Sequence, residues 1–223
     1  MAVKEDTTSE PGRTPRDDPR YLRVRAALRR AVLELAADRP PEEITVAELT
    51  AAAGVSRTVF YSHASSPVRL LAEALFAEVL PDRLELAMAN SQEAFGPLWR
   101  EGYLALLGYV EARRGVYATA VAARSGLLGA LVDYYTELAT TAVDAVVARM
   151  AEPVSPSWRT MAVHQHAHGA IAIIEAWLNA APGTTPDDIV DAYLALAPPW
   201  QLARPGPDGR IVLHRPQTGA GGA

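Results

Sequence analysis

Apolar residues recur every three or four positions along most of the chain, and no long stretch alternates strictly between apolar and polar, so the pattern predicts helices and no sheet. From Tyr21 to Ala37, the residues Val24, Leu28, Ala31 and Leu35 share one helical face. Pro40 and Pro41 end that segment. Thr45, followed three residues later by Glu48, makes a capping box that starts a second helix. Gly54 supplies the left-handed residue that ends it, and Ser56 caps a third. Ser66-Pro67, a serine cap with proline at the first helical position, opens a fourth helix to about Leu80, which Pro81 closes.

Residues 82 to 97 are mixed, with Gly96-Pro97 as a break. A helix is then predicted from Leu98 to Arg113, with Trp99, Tyr103, Leu107 and Val110 on one stripe. Another spans Leu127 to Ala151 and carries Leu131, Tyr135, Leu138, Ala142, Val146 and Met150. Ser155-Pro156 opens a third, to about Ala180, and Thr185-Pro186 opens a last one that ends before Pro198. The fold class is therefore all-α, with about nine helices by this reading. Residues 1–19 are expected to be a disordered tail, 20–66 a three-helix head, 67–80 a connecting helix and 81–197 a second helical domain. Residues 198–223, rich in Pro and Gly, are expected to be a flexible tail in which only Ile211 to Leu213 docks.

Composition narrows the function classes. The chain holds no cysteine, which excludes disulfides and thiolate metal sites and suits a reducing compartment. The N-terminus is charged and lacks a signal-peptide core, and no run approaches the roughly 18 apolar residues of a membrane span. A cytoplasmic protein with no membrane partner is expected. The formal net charge of −5 argues against nucleic acid only until its distribution is considered. Residues 20 to 35 hold Arg20, Arg23, Arg25, Arg29 and Arg30 against the single acid Glu34. Screening limits each charge to about 8–10 Å, so a phosphate feels the local excess and not the total.

Val46 to Tyr61 spells two short helices joined by a tight turn, a unit that places its second helix in the DNA major groove. Leu49, Val55, Val59 and Phe60 take the inward spacings, and Arg57, Thr58 and Tyr61 are left pointing outward. Arg57 can bond guanine with both guanidinium nitrogens or hold a phosphate; Thr58 can touch a thymine methyl or a phosphate. Thr45 and Ser56, at the starts of the second and third helices, and Tyr61 and His63 complete the predicted DNA-contacting set. Two helices and a turn also occur in proteins that bind no DNA; the caps, the outward Arg-Thr pair and the arginine-rich first helix weigh against that alternative here.

The stretch from about Tyr21 to Leu80 resembles the DNA-binding domain of the TetR-like repressors. The resemblance is carried by Ile44-Thr45-Val46, Leu49, Ala53-Gly54-Val55-Ser56, Phe60-Tyr61, His63 and Leu70-Leu71. It implies a three-helix reading head followed by a variable helical domain that dimerises and holds a small-molecule inducer. Ala64 stands where that family commonly has phenylalanine, and Pro67 where it commonly has a lysine, which removes one phosphate contact. Beyond Leu80 the resemblance is looser and rests on helix count and the Ile173 to Leu178 stretch.

From Met161 to Leu178 the only acidic or basic residue, histidines aside, is Glu175, so this helix must be buried nearly all round. A two-fold four-helix bundle satisfies this requirement, with Ala167, Ala170, Ile171, Ile174 and Leu178 as the predicted dimer contacts. The plainer alternative is a central helix in one chain. His164 and His168 have a zinc-binding spacing, yet without an acid nearby they are expected to line a pocket or a subunit contact; no metal and no cofactor are predicted. Trp99, Tyr103 and Tyr117, faced by Met161 and His164 or His168, are the predicted ligand contacts, although most aromatics in such helices are core. The function these features predict is a non-enzymatic, dimeric, sequence-specific regulator, released from a palindromic DNA operator by a small apolar or aromatic inducer. Two alternatives stand beside it: a ligand-independent regulator or activator, and a helical histidine-dependent metalloenzyme. The last leaves the arginine-rich helix and the capped turn unexplained.

Overall fold

The computed structural model of the chain describes residues 18–76, 91–122 and 126–213. Among these residues lie nine α-helices: α1 (Pro19–Asp38), α2 (Val46–Ala53), α3 (Arg57–Tyr61), α4 (Pro67–Phe76), α5 (Gly96–Ala112), α6 (Arg114–Ala122), α7 (Gly126–Val147), α8 (Pro156–Leu178) and α9 (Pro186–Leu196). A 3-10 turn at Pro41–Glu43 follows α1. The expectations for residues 1–17, 77–90 and 214–223 lie outside the described residues. Among the described residues no single helix is long and apolar enough to cross a membrane.

The chain divides into two compact units, one ending at Leu71 and the other beginning at Ala72, so α4 crosses the boundary. In the first unit α1 packs on α2 and α2 on α3. Leu28, Ala31, Val32 and Ala36 of α1 join Ile44, Leu49, Phe60, Leu70 and Leu71 in the core. Asp18 caps α1 by accepting from the Arg20 N–H at 2.7 Å, with Pro19 at the first helical position, so the helix begins two residues before Tyr21.

In the second unit α8 is the central helix: α5, α6, α7 and α9 all touch it, α7 the most extensively. Arg159 of α8 grips both oxygens of Asp144 of α7 at 2.6 and 2.7 Å, and Arg100 of α5 reaches Asp187 and Asp191 of α9. Gly169 lies against the ring of Tyr193, where a methyl group would collide, which lets α8 and α9 approach closely.

The second unit departs from the sequence reading in three places. Gly96 and Pro97 begin α5 instead of breaking the chain before it, proline being well placed in a first turn. α6 was not predicted: Arg113 leaves helical geometry with φ −130° and ψ 29°, yet no proline or cap residue marks the restart at Arg114. Residues 198–213 are not a flexible tail. Trp200, Gln201 and Ile211 are buried, the Phe95 N–H donates to the Ala203 carbonyl at 2.9 Å, and Ile211 makes a parallel bridge with Met150. Proline and glycine suggest mobility, but two large apolar side chains are enough to anchor so short a strap.

Candidate nucleic-acid interface

The turn between α2 and α3 is built from local chemistry. Gly54 adopts φ 66° and ψ 33°, the left-handed conformation that closes a helix. The Val55 N–H donates to the Thr50 carbonyl at 3.0 Å and the Gly54 N–H to the Ala51 carbonyl at 3.2 Å, which satisfies two of the last carbonyls of α2. Thr50 is itself buried, and its hydroxyl donates to the Val46 carbonyl at 2.8 Å. α3 starts where Ser56 Oγ accepts from the Val59 N–H at 3.3 Å, which leaves the serine O–H as a donor. Leu49 and Phe60, both fully buried, fix the crossing of the two helices. Arg57, Thr58 and Tyr61 are exposed, Tyr61 to 60%.

Thr45 is engaged by its surroundings. Its N–H and its hydroxyl both donate to Glu48 Oε2, at 3.0 and 2.6 Å, and the Glu48 N–H returns to Thr45 Oγ1 at 3.3 Å. The Thr45 hydroxyl, then the bond from Arg39, hold the Glu48 carboxyl down to about 2. A carboxylate thus sits at the positive end of α2. Thr45 is a capping residue, and its hydroxyl is committed.

His63 is also reassigned. Its ring stacks on Tyr21 with centroids 4.1 Å apart, its Nδ1 is buried without a hydrogen-bond partner, and its carbonyl accepts from Arg25 Nη1 at 3.1 Å. Burial first, and the Arg25 charge second, push its proton affinity below the ordinary histidine value. The ring is therefore neutral and helps to hold the start of α1 against the residues that follow α3.

The second unit does not gather the six predicted ligand contacts. Trp99 and Tyr103 stack with centroids 6.1 Å apart in the core. Tyr117 is buried elsewhere, against Phe76, with its hydroxyl donating to the Leu75 carbonyl at 3.2 Å. Met161, His164 and His168 are on the outside of α8, Met161 at 66% exposure. The histidine that faces Trp99 is His166, with ring centroids 4.6 Å apart. Its Nδ1 lies 2.9 Å from Gln201 Nε2 and 3.3 Å from the Tyr103 hydroxyl, while Tyr193 donates to Gln201 Oε1 at 3.3 Å. With the Gln201 amide donating, Nδ1 accepts and the proton of the imidazole is on Nε2. Burial pushes the His166 proton affinity down to about 4.

Four of the five predicted dimer contacts are likewise inside the single chain. Ala167 and Ala170 are 0% exposed, Ile174 1% and Ile171 7%, all covered by neighbouring helices of the same unit; only Leu178 is partly open. One chain suffices to bury these four residues, so they are core, while Met161, His164 and His168 leave one side of α8 exposed, against the expectation of burial nearly all round. A groove of about 350 Å³ lies between the start of α8 and the C-terminal strap, lined by Met150, Val154, Trp158, Ile211 and Leu213 among others, and it contains none of the predicted ligand contacts.

The sequence matches no family model and no curated protein. Among solved structures it is similar to the dihydroxyacetone kinase operon activator DhaS, with 14% identity, a TM-score of 0.42, and coverage of 78% of this chain and 93% of that one. It is also similar to the TetR family repressor AlkX from Dietzia sp. strain DQ12-45-1b, implicated in biodegradation of n-alkanes. That pair shares 18% identity with a TM-score of 0.48, over 82% of this chain and 95% of the other.

Proposed function

We propose that the chain is a sequence-specific, TetR-like DNA-binding transcriptional regulator that acts as a homodimer on a palindromic operator, as a repressor. The observation that carries this reading is the capped α2–Gly54–α3 unit with Arg57, Thr58 and Tyr61 exposed on its second helix. Two-fold symmetry sets half-sites about one DNA turn apart or at another spacing fixed by the dimer. Because Ala167, Ala170, Ile171 and Ile174 are occupied within the chain, the dimer uses exposed positions instead.

Release from DNA follows from a small apolar or aromatic ligand that prefers a DNA-incompetent arrangement of the second unit; a few kcal/mol of preference is enough. The Trp99 and Trp200 indole N–H groups support a ligand with acceptor atoms. Both are buried without a partner, with ring centroids 5.9 Å apart, and each such donor costs about 1–3 kcal/mol until it is satisfied. α4, which belongs to both units, is the covalent route from one to the other. Selection of duplexes from a random pool by the purified full-length chain tests the reading: enrichment of an inverted repeat supports it, and a pool that stays random contradicts it.

A further inference from the structure

His164 and His168 stand one helical turn apart on the outer face of α8, with ring centroids 6.2 Å apart. Residues four apart on a helix project from one face, with Cβ atoms about 5–6 Å apart, a span two imidazoles can close around one ion with metal–nitrogen distances of about 2.0–2.1 Å. His168 Nδ1 lies 2.9 Å from the His164 carbonyl oxygen. A carbonyl only accepts, so Nδ1 is the donor there, and Nε2 is the nitrogen left to offer a lone pair to a metal. Metal-ligating histidines are commonly held this way, the far nitrogen donating to a backbone carbonyl.

The exposed neighbours on α8 do not repel a cation. From Thr160 to Ala172 the exposed residues of α8 are Thr160, Met161, His164, Gln165, His168 and Ala172, none of them positively charged. His166, between the two, faces the opposite way into the core and is engaged by Gln201 and Tyr103, so it does not compete. No group of three or more His, Cys, Asp or Glu that could hold a metal is gathered among the described residues, so within them the site consists of the two imidazoles. We propose that His164 and His168 form a two-imidazole chelate for a divalent ion of the zinc, nickel and copper class, whose remaining positions stay open to water or another donor. Imidazole nitrogen selects that class over magnesium and calcium, which take oxygen ligands.

The second imidazole binds intramolecularly, a gain on the order of 10²–10⁴ in affinity over one alone. Titration calorimetry of the untagged full chain with ZnCl₂ and with NiCl₂ tests the site. One ion per chain is expected, with His164→Ala and His168→Ala each weakening it on the order of 100-fold and MgCl₂ giving no heat of binding. Both side chains are exposed, so the variants should retain the wild-type circular dichroism and melting temperature. Imidazole proton resonances give a second readout: Ni²⁺ should broaden those of His164 and His168 first. Absence of binding overturns the proposal, as does binding that persists in the double variant or broadens His63 or His214 instead. The chelate does not depend on the DNA-binding reading and is measured without DNA.

Discussion

His166 makes the second unit sensitive to acid by an amount that can be worked from its position. Burial pushes its proton affinity from the ordinary 6.5 down to about 4. Between those values the unfolded chain binds a proton that the folded chain refuses, so stability is full above pH 6.5 and falls as the pH drops toward 4. At about 1.4 kcal/mol per pH unit, the gap amounts to about 3 kcal/mol. His166→Gln keeps a polar group opposite Gln201 and removes the titration. The assay is urea unfolding at pH 7 and pH 4.5 followed by tryptophan fluorescence, because Trp99, Trp158, Trp177 and Trp200 all belong to the second unit. His63 and the surface carboxylates are present in both proteins and cancel in the comparison. Wild type should lose about 2–3 kcal/mol more than His166→Gln between the two pH values. Equal losses, within about 0.5 kcal/mol, would refute the assignment of a neutral, sealed imidazole.

Gly54→Ala places a Cβ in open space but at φ 66°, so its effect is backbone strain alone, a loss of about 1–2 kcal/mol in the first unit. Faster amide exchange across residues 46–61 checks it, and unchanged exchange counts against the left-handed turn. Ile174→Asp buries a carboxylate at a 1% exposed position, and should lose more than about 4 kcal/mol or fail to fold. Ala172→Asp, on the exposed side of the same helix, should stay within about 0.5 kcal/mol of wild type. Melting curves distinguish the two, and an Ile174→Asp protein that melts like wild type would contradict the single-chain core.

The head was legible because its signals are local. A threonine cap three residues before Glu48, a glycine that must go left-handed and a serine before Arg57 specify α2, turn and α3 without reference to the rest of the chain. What Glu48 does to the start of α2, and Tyr21 to His63, depends on where side chains settle, and spacing does not show it. For α8 the sequence overstated the burial and misplaced its source: one side is packed within the chain, and Thr160, Met161, His164, Gln165, His168 and Ala172 are exposed. A helix with alanine and isoleucine on every side has no marked apolar phase, so Ala167 and Ile174 look as fit for a partner chain as for their own. One weak signal was present: Thr160, His164, Gln165, His168 and Asn179 fall on one polar side, which leaves His166 among Val163, Ala167 and Ala170. Trp200 and Ile211 were similarly obscured by the prolines and glycines around them.

The most direct test of the central claim is fluorescence anisotropy of the full chain on a duplex selected from a random pool, with Arg57→Ala alongside and the salt concentration varied. Binding should fall steeply with salt, as phosphate contacts require. Arg57→Ala should weaken the selected duplex by about 1–3 kcal/mol and relax preference at one base position. An Arg57→Ala protein that binds the same duplex with unchanged affinity and unchanged selectivity would show that α3 does not read DNA through that side chain, and a wild-type chain that prefers no sequence would contradict the account as a whole.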